Sequence, residues 1–329
     1  LAYVAIADSF VSAAWHHLVF EASNWFSMKI ATRNIERILV LSLFIPIVSG
    51  LPHMRAWGAE TSRASADSNN TYAIIVSGIS KEPNDRSAKD KIVMNLRKFF
   101  LNNAKLRPEH LSILVADNHV TPSEVEGSSV RDGTITSTAN NLSQTFATFA
   151  AKIQPTDRFI FYYTGQANTV AGMLRLNLPG EDITHQSLAV CINQIKASSM
   201  MIVLDCPAAG LAVKTIAGKG RIVVCGCEAQ QHYSTKFGEY FVPALTDPNS
   251  DTDGNGRVSV LEAFTLTCKQ LEDWYRQANL LKTETPVLED NADGIPSPQP
   301  WRPDLSLSNG YESDKTDGLL ASKFFLTAE

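Results

Sequence analysis

Five short apolar runs, each closed by a glycine, a proline or a polar turn, constrain this chain more than any other feature. They span residues 72–77, 111–116, 158–163, 200–205 and 221–225. Continuous apolar runs of this length read as strands covered on both faces. Between them lie stretches with apolar residues at helical spacing. One covers 87–103, with Ile92, Val93, Leu96, Phe99 and Phe100. A second covers 137–153, with Leu142, Phe146 and Phe149, and a third covers 184–195, with Thr184 placed to cap it. Residues 117–134 are polar and read as a loop, and 173–178 alternate as a short antiparallel excursion would. Strands alternating with helices predict a parallel sheet covered on both sides, and right-handed crossovers narrow this to a doubly wound α/β sandwich.

With 329 residues and 44% apolar content, the chain can bury one large α/β core, or a core with a small appendage. The net charge of −5 and the lack of a basic patch interleaved with aromatics exclude a nucleic-acid partner. Residues 28–37 are basic, 38–51 are apolar, and Ala56 and Gly58 offer small residues at a cleavage site, the order of a secretory signal peptide over 28–59 with its start at Met28. Residues 1–27 then read as an extension from an upstream start. Pro46 interrupts the apolar run, which is short for a membrane span. An uncleaved signal is therefore the one expected route to a membrane. The expected location is outside the cytoplasm, periplasmic or extracellular. A polar lead-in over 60–70, a main domain over 71–294 and a C-terminal strap over 295–329 complete the division.

The chain has five cysteines: Cys191, Cys206, Cys225, Cys227 and Cys268. An odd, scattered count does not describe a disulfide framework, and Cys225-Gly-Cys227 lacks zinc-ligand spacing. Buried thiols are expected, although an exported chain would permit one disulfide.

Chemistry in an open α/β sheet gathers at the carboxyl ends of the strands. Here those ends read Tyr163-Thr-Gly165-Gln166-Ala167 and Asp205-Cys206-Pro207-Ala-Ala209-Gly210. They resemble the two catalytic strand ends of caspase-like and legumain-like cysteine peptidases, where a histidine follows the first glycine and a cysteine follows the second strand. Leu176-Asn-Leu-Pro179-Gly180-Glu-Asp182 resembles a further stretch of the bacterial legumain-like proteins, as do Glu262-Ala-Phe264 and the segment 283–291. The resemblance implies a caspase-like doubly wound fold, with Gln166 at the histidine position and Pro207 at the nucleophile position. It implies a cleft beside Gly165, Asp205 and Gly210.

A glutamine amide is no usable base, so the pair is degenerate. Cys206 stands one residue early, where a strand end turns its side chain to the other face. Neither Cys206 nor Cys225 has a base in its local sequence. His185 reads as a surface or capping residue and His232 as a loop residue. Asp205 reads as lining the cleft or satisfying backbone donors. Glu228, Gln230 and Gln231 read as a polar loop, or as the substrate-facing wall that relatives build there.

Residues 251–262 fit the twelve-residue calcium loop. Asp251, Asp253 and Asn255 offer side-chain oxygens at positions one, three and five. Gly256 permits the turn at six, Arg257 offers its carbonyl at seven, and Glu262 offers two oxygens at twelve. Ser259 and Glu262 also form a capping-box pattern for a helix starting at Val260. Pro248 precludes a long incoming helix, so a lone structural Ca2+ loop is expected. Residues 289–294 repeat only the first half of the pattern and read as a solvated turn.

The resulting expectation is a non-catalytic exported relative of these peptidases that binds a peptide or protein and is stiffened by calcium. Two alternatives stay open: an active cysteine endopeptidase using Cys206 with a rearranged base, and an inert calcium-stabilised envelope scaffold.

Overall fold

The computed structural model describes residues 70–80, 82–116, 134–300 and 316–327. The expected leader over 1–59, nearly all of the lead-in, most of the 117–134 loop and residues 301–315 lie outside them. No helix of the described residues is long and apolar enough to cross a membrane.

The five apolar runs are strands of one sheet: β1 (Thr71–Ser77), β2 (Leu111–Val115), β4 (Arg158–Thr164), β8 (Ser199–Asp205) and β9 (Arg221–Cys225). Two short strands extend its edges, β3 (Thr134–Thr136) and β10 (Val287–Glu289). The order is β10-β9-β8-β4-β1-β2-β3, parallel throughout except for the β10–β9 pair. The alternating stretch becomes the middle strand of a separate antiparallel sheet: β5 (Ala167–Val170), β6 (Met173–Leu176) and β7 (Ile183–Thr184).

Among the described residues six α-helices accompany the sheet: α1 (Pro83–Lys98), α2 (Ala139–Ala150), α3 (His185–Asn193), α4 (Val213–Ile216), α5 (Phe237–Ala244) and α6 (Val260–Gln277). Alternation along each strand sends successive side chains to opposite faces. Ile74, Phe161, Ile202 and Val223 meet Phe146 of α2, Leu188 of α3 and Ile216 of α4. Ile75, Ile160, Val203 and Val224 meet Leu96 of α1, Phe241 of α5 and Phe264 of α6. The fold class is the expected doubly wound α/β sandwich.

Several local readings change. The first helix begins at Pro83 rather than 87, because proline fits a first turn, and its last stretch, Phe99–Asn103, winds as a π-helix. Thr184 caps α3 by accepting from Ser187 N at 3.0 Å. His185 is not on the surface: it is 6% exposed, with Nδ1 3.3 Å from Leu174 O.

The 289–294 turn is not fully solvated either. Glu289 and Asp290 are 0% and 8% exposed, because β10 pairs with β9 and the Asp290 carboxylate accepts from Gly318 N and Ala321 N, both at 2.7 Å. Residues 316–327 of the expected strap are therefore docked, with Phe324 buried and its carbonyl bonded to Val260 N at 3.0 Å.

Candidate functional site

The carboxyl ends of β1, β4, β8 and β9 lie side by side, and Thr164 stands opposite Asp205 in register. The chains approach so closely that a Cβ on Gly78 would fall 2.1 Å from the Tyr163 hydroxyl. Only glycine fits there. The Tyr163 hydroxyl donates to Gln166 O at 2.7 Å, and Gln166 N donates to Ile79 O at 3.1 Å, which fixes the turn that carries Gln166.

The Gln166 amide is fully engaged as a donor. Its Nε2 donates to Asp85 Oδ2 at 2.9 Å and to Ser234 Oγ at 2.7 Å. The position where the resemblance calls for a base thus holds a group that ties β4 to α1 and to the loop before α5. An amide in this setting binds, and it takes up no proton near neutral pH.

Asp205 is enclosed rather than lining a cleft, and among the described residues it accepts from no backbone donor, which corrects the expectation for it. It is 0% exposed, because its side chain turns toward the α1/α5 layer. It accepts from Thr164 Oγ1 at 2.8 Å and Thr235 Oγ1 at 2.6 Å, and Lys89 Nζ lies 3.7 Å from its Oδ2. Lys89 Nζ also donates to Thr235 O at 3.0 Å. Gly165 is buried and Gly210 half-buried; a Cβ on Gly210 would come within 2.7 Å of Ala229 N.

Cys206 points away from that cluster into the opposite core, as the one-residue shift predicts, and is 0% exposed. Burial above all, then Cys227, Cys225 and Asp205, pushes its thiol well above the ordinary range, against a weaker pull from Lys89. No histidine of the described residues contributes there. Cys225 is raised likewise by burial, and Cys227 is pushed up to about 12. All five thiols are free. Pro207 is buried, and Ala208 after it is held at φ +54°, a left-handed conformation costing about 1–2 kcal/mol. The Ala208 N–H is anchored on Gln231 O at 2.7 Å.

Gln231 belongs to this scaffold more than to any wall. Its Oε1 accepts from Thr285 N at 2.7 Å and Glu228 N at 3.0 Å. His232 is exposed.

Sequence reasoning passed over Lys89, Thr235 and Glu284. Lys89 had a signal, since it falls three, four and seven residues before Ile92, Val93 and Leu96 on the buried face of α1. Glu284 had none. It accepts from Lys236 N, Phe237 N and the Tyr275 hydroxyl at 2.9–3.1 Å, and burial raises it from 4.5 to about 7.

The 251–262 loop brings ligand-type oxygens of Asp251, Asp253 and Glu262 within 4.8 Å of one another. Asn255 N donates to Asp251 Oδ1 and Asp253 Oδ1, both at 3.0 Å, and Gly256 N to Asp251 Oδ2 at 2.9 Å. Gly256 sits at φ +81°, the turn its position demands. Glu262 reaches back across the loop: Oε1 accepts from Thr252 N at 2.9 Å, and Oε2 from Ser259 N at 2.9 Å. The capping box is complete. The donor set is all oxygen and carries three carboxylates, which fits a hard divalent cation. The incoming segment is the eight-residue α5 followed by a 3-10 turn, Pro248–Ser250.

No family model and no curated protein matches the chain. Among solved structures it is similar to the crystal structure of the Drosophila initiator caspase Dronc. The identity is 10%, covering 76% of this chain and 94% of that chain, with a TM-score of 0.38.

Proposed function

We propose that this chain is a non-catalytic, exported relative of the caspase-like and legumain-like cysteine peptidases, which binds a peptide or protein ligand. One observation carries the non-catalytic reading: the side chain at the histidine position is a glutamine amide already donating to Asp85 and Ser234. The thiol nearest the nucleophile position supports the same reading. Cys206 is enclosed, its thiolate is disfavoured by burial, and an attacking thiol must be both ionised and reachable.

The binding reading rests on the polar groups around the strand ends, with Gln166 and Glu228 half-buried and Ser234 and His232 exposed. Asp251, Asp253, Asn255 and Glu262, with the Arg257 carbonyl, are the residues that would hold Ca2+. The ion would offset the clustered negative charge and join the start of α6 to the loop before it. The export reading rests on the signal-like order of residues 28–59.

The deciding experiment treats wild type and Cys206→Ala with a thiol-directed peptide probe and a panel of fluorogenic peptides. The expected result is neither labelling at Cys206 nor turnover. Turnover that disappears with Cys206→Ala would establish a cysteine peptidase instead. A pull-down with a peptide library that captures nothing would leave the inert scaffold.

A further inference from the structure

The loop over 251–262 and the C-terminal segment over 316–327 hold one another at three points. Ser259 forms an antiparallel bridge with Phe325, and Val260 N donates to Phe324 O at 3.0 Å. Arg257 donates from Nη2 to Thr327 O at 3.4 Å, and its guanidinium carbon lies 4.2 Å from the centroid of the Phe325 ring. All three contacts start between Asn255 and Glu262, so the stretch that closes the loop is also the stretch that grips the segment.

Resting on the calcium reading of the loop, we propose that the C-terminal segment is a calcium-dependent strap: a cation in the loop holds residues 316–327 down, and its loss releases them.

The coupling follows from where the charges sit. Ligand-type oxygens of Asp251, Asp253 and Glu262 lie within 4.8 Å of one another, and like charges at that range repel. Asp251 and Asp253 precede the turn at Gly256, whereas Glu262 belongs to the first turn of α6. Repulsion therefore acts between the two arms of the loop. A bound cation draws the arms together and fixes the backbone from 257 to 262. That backbone makes the contacts with the segment. Val260 N is one of the first-turn donors of α6 that no helical carbonyl satisfies, and Phe324 O satisfies it.

The other anchors of the segment lie away from the loop. The Asp290 carboxylate accepts from Gly318 N and Ala321 N, both at 2.7 Å, and Asp317 Oδ1 accepts from Asp290 N at 3.0 Å. Arg158 donates to Phe325 O at 2.9 Å. These bonds set where the segment lands, and the loop secures its far end. Phe324 is buried in the same layer as Val260, Leu261 and Phe264 of α6. Releasing the end of the strap uncovers apolar surface that stays closed while the loop is loaded. Linkage is reciprocal, so the docked strap raises the calcium affinity of the loop by the same factor.

The test follows backbone amide exchange by mass spectrometry on the full chain, in calcium and in chelator. Peptides covering 316–327 are compared with peptides covering α2, which packs on the other face of the sheet. Calorimetry with calcium alone reports whether the cation binds. The expected result is saturable binding, with exchange in 316–327 slowed at least about fivefold by calcium and exchange in α2 slowed less. Phe325→Ala removes the half-buried ring against Arg257 and no calcium oxygen, and the variant should bind calcium at least about fivefold more weakly. Its α2 exchange shows that it is folded, and the wild-type comparison decides the matter if it is not. Calcium binding with unchanged exchange in 316–327, equal slowing in both sets of peptides, or undiminished affinity in the folded variant overturns the strap and leaves the calcium reading standing. Absence of calcium binding overturns both.

Discussion

The Lys89 ammonium lies 3.7 Å from Asp205 Oδ2, with the two side chains 2% and 0% exposed. Breaking one half of a buried pair strands the other charge, which costs about 3–5 kcal/mol, whereas replacing both halves with apolar groups costs far less. Lys89→Met should therefore destabilise strongly, and Lys89→Met with Asp205→Leu should recover much of that loss, less the bonds of Thr164 and Thr235 to the carboxylate. Urea unfolding of the two single variants and the double variant measures this. Additive losses would mean that the charges are not coupled.

That pair also marks where the sequence stopped being legible. The five central strands follow from apolar runs, since a strand covered on both faces has no other composition open to it. The edge strands β3 and β10 are three residues each, too short to show a pattern. Cys206 could be placed by counting along β8, because strand periodicity assigns its face. Asp205 could be placed by the same count, but its partners could not: Lys89 comes from a helix and Thr235 from a loop, and only the folded chain brings them together. The calcium-type loop was the most legible site, because all its side chains lie within twelve positions and its geometry is local.

Glu284 gives the protein a pH dependence of predictable sign. Its carboxyl is raised from 4.5 to about 7, chiefly by burial. Between those values the folded protein holds a proton that the unfolded chain has released, so this group's contribution is complete below 4.5 and fades as pH rises through about 7. Glu284→Gln keeps the acceptor for Lys236 N and Phe237 N and removes the titration. Unfolding free energy measured at intervals from pH 4.5 to 7 should fall more steeply in wild type than in the variant. Parallel curves would refute the assignment.

Thiol accessibility should follow the packing. Cys206, Cys225 and Cys227 are each 0% exposed, while Cys268 is partly exposed. A disulfide reagent applied to the native protein should modify Cys268 first and reach Cys206, Cys225 and Cys227 only at the rate of unfolding; burial raises all four of these thiols, Cys268 to about 12, so the order follows from exposure. Peptide mapping of timed samples reads the order. Rapid modification of Cys206 in the folded protein would contradict its placement and reopen the peptidase reading.

Glu262 has two roles, and only one of them needs a cation. Its Oε2 completes the capping box with Ser259, so Glu262→Ala loses about 0.5–2 kcal/mol even in chelator. A destabilised Glu262→Ala therefore says nothing about metal. Asp253→Asn separates the roles. Asp253 is exposed; an amide oxygen keeps the 3.0 Å bond that its Oδ1 accepts from Asn255 N, and the variant gives up the exposed 2.8 Å bond that Oδ2 accepts from Asn255 Nδ2. The variant loses a negative charge from the cluster of Asp251, Asp253 and Glu262. In chelator it should unfold within about 0.5 kcal/mol of wild type, as exposed substitutions do. With calcium the two should part. Lone extracellular loops bind at about 10⁻⁴–10⁻³ M, so calcium at about a hundred times the tighter value stabilises wild type by about 2.7 kcal/mol and the variant much less. Urea unfolding of both proteins, with calcium and with chelator, reads all four values. A calcium effect equal in the two proteins, or absent from both, would remove the loop as a cation site and leave Glu262 as a helix cap alone.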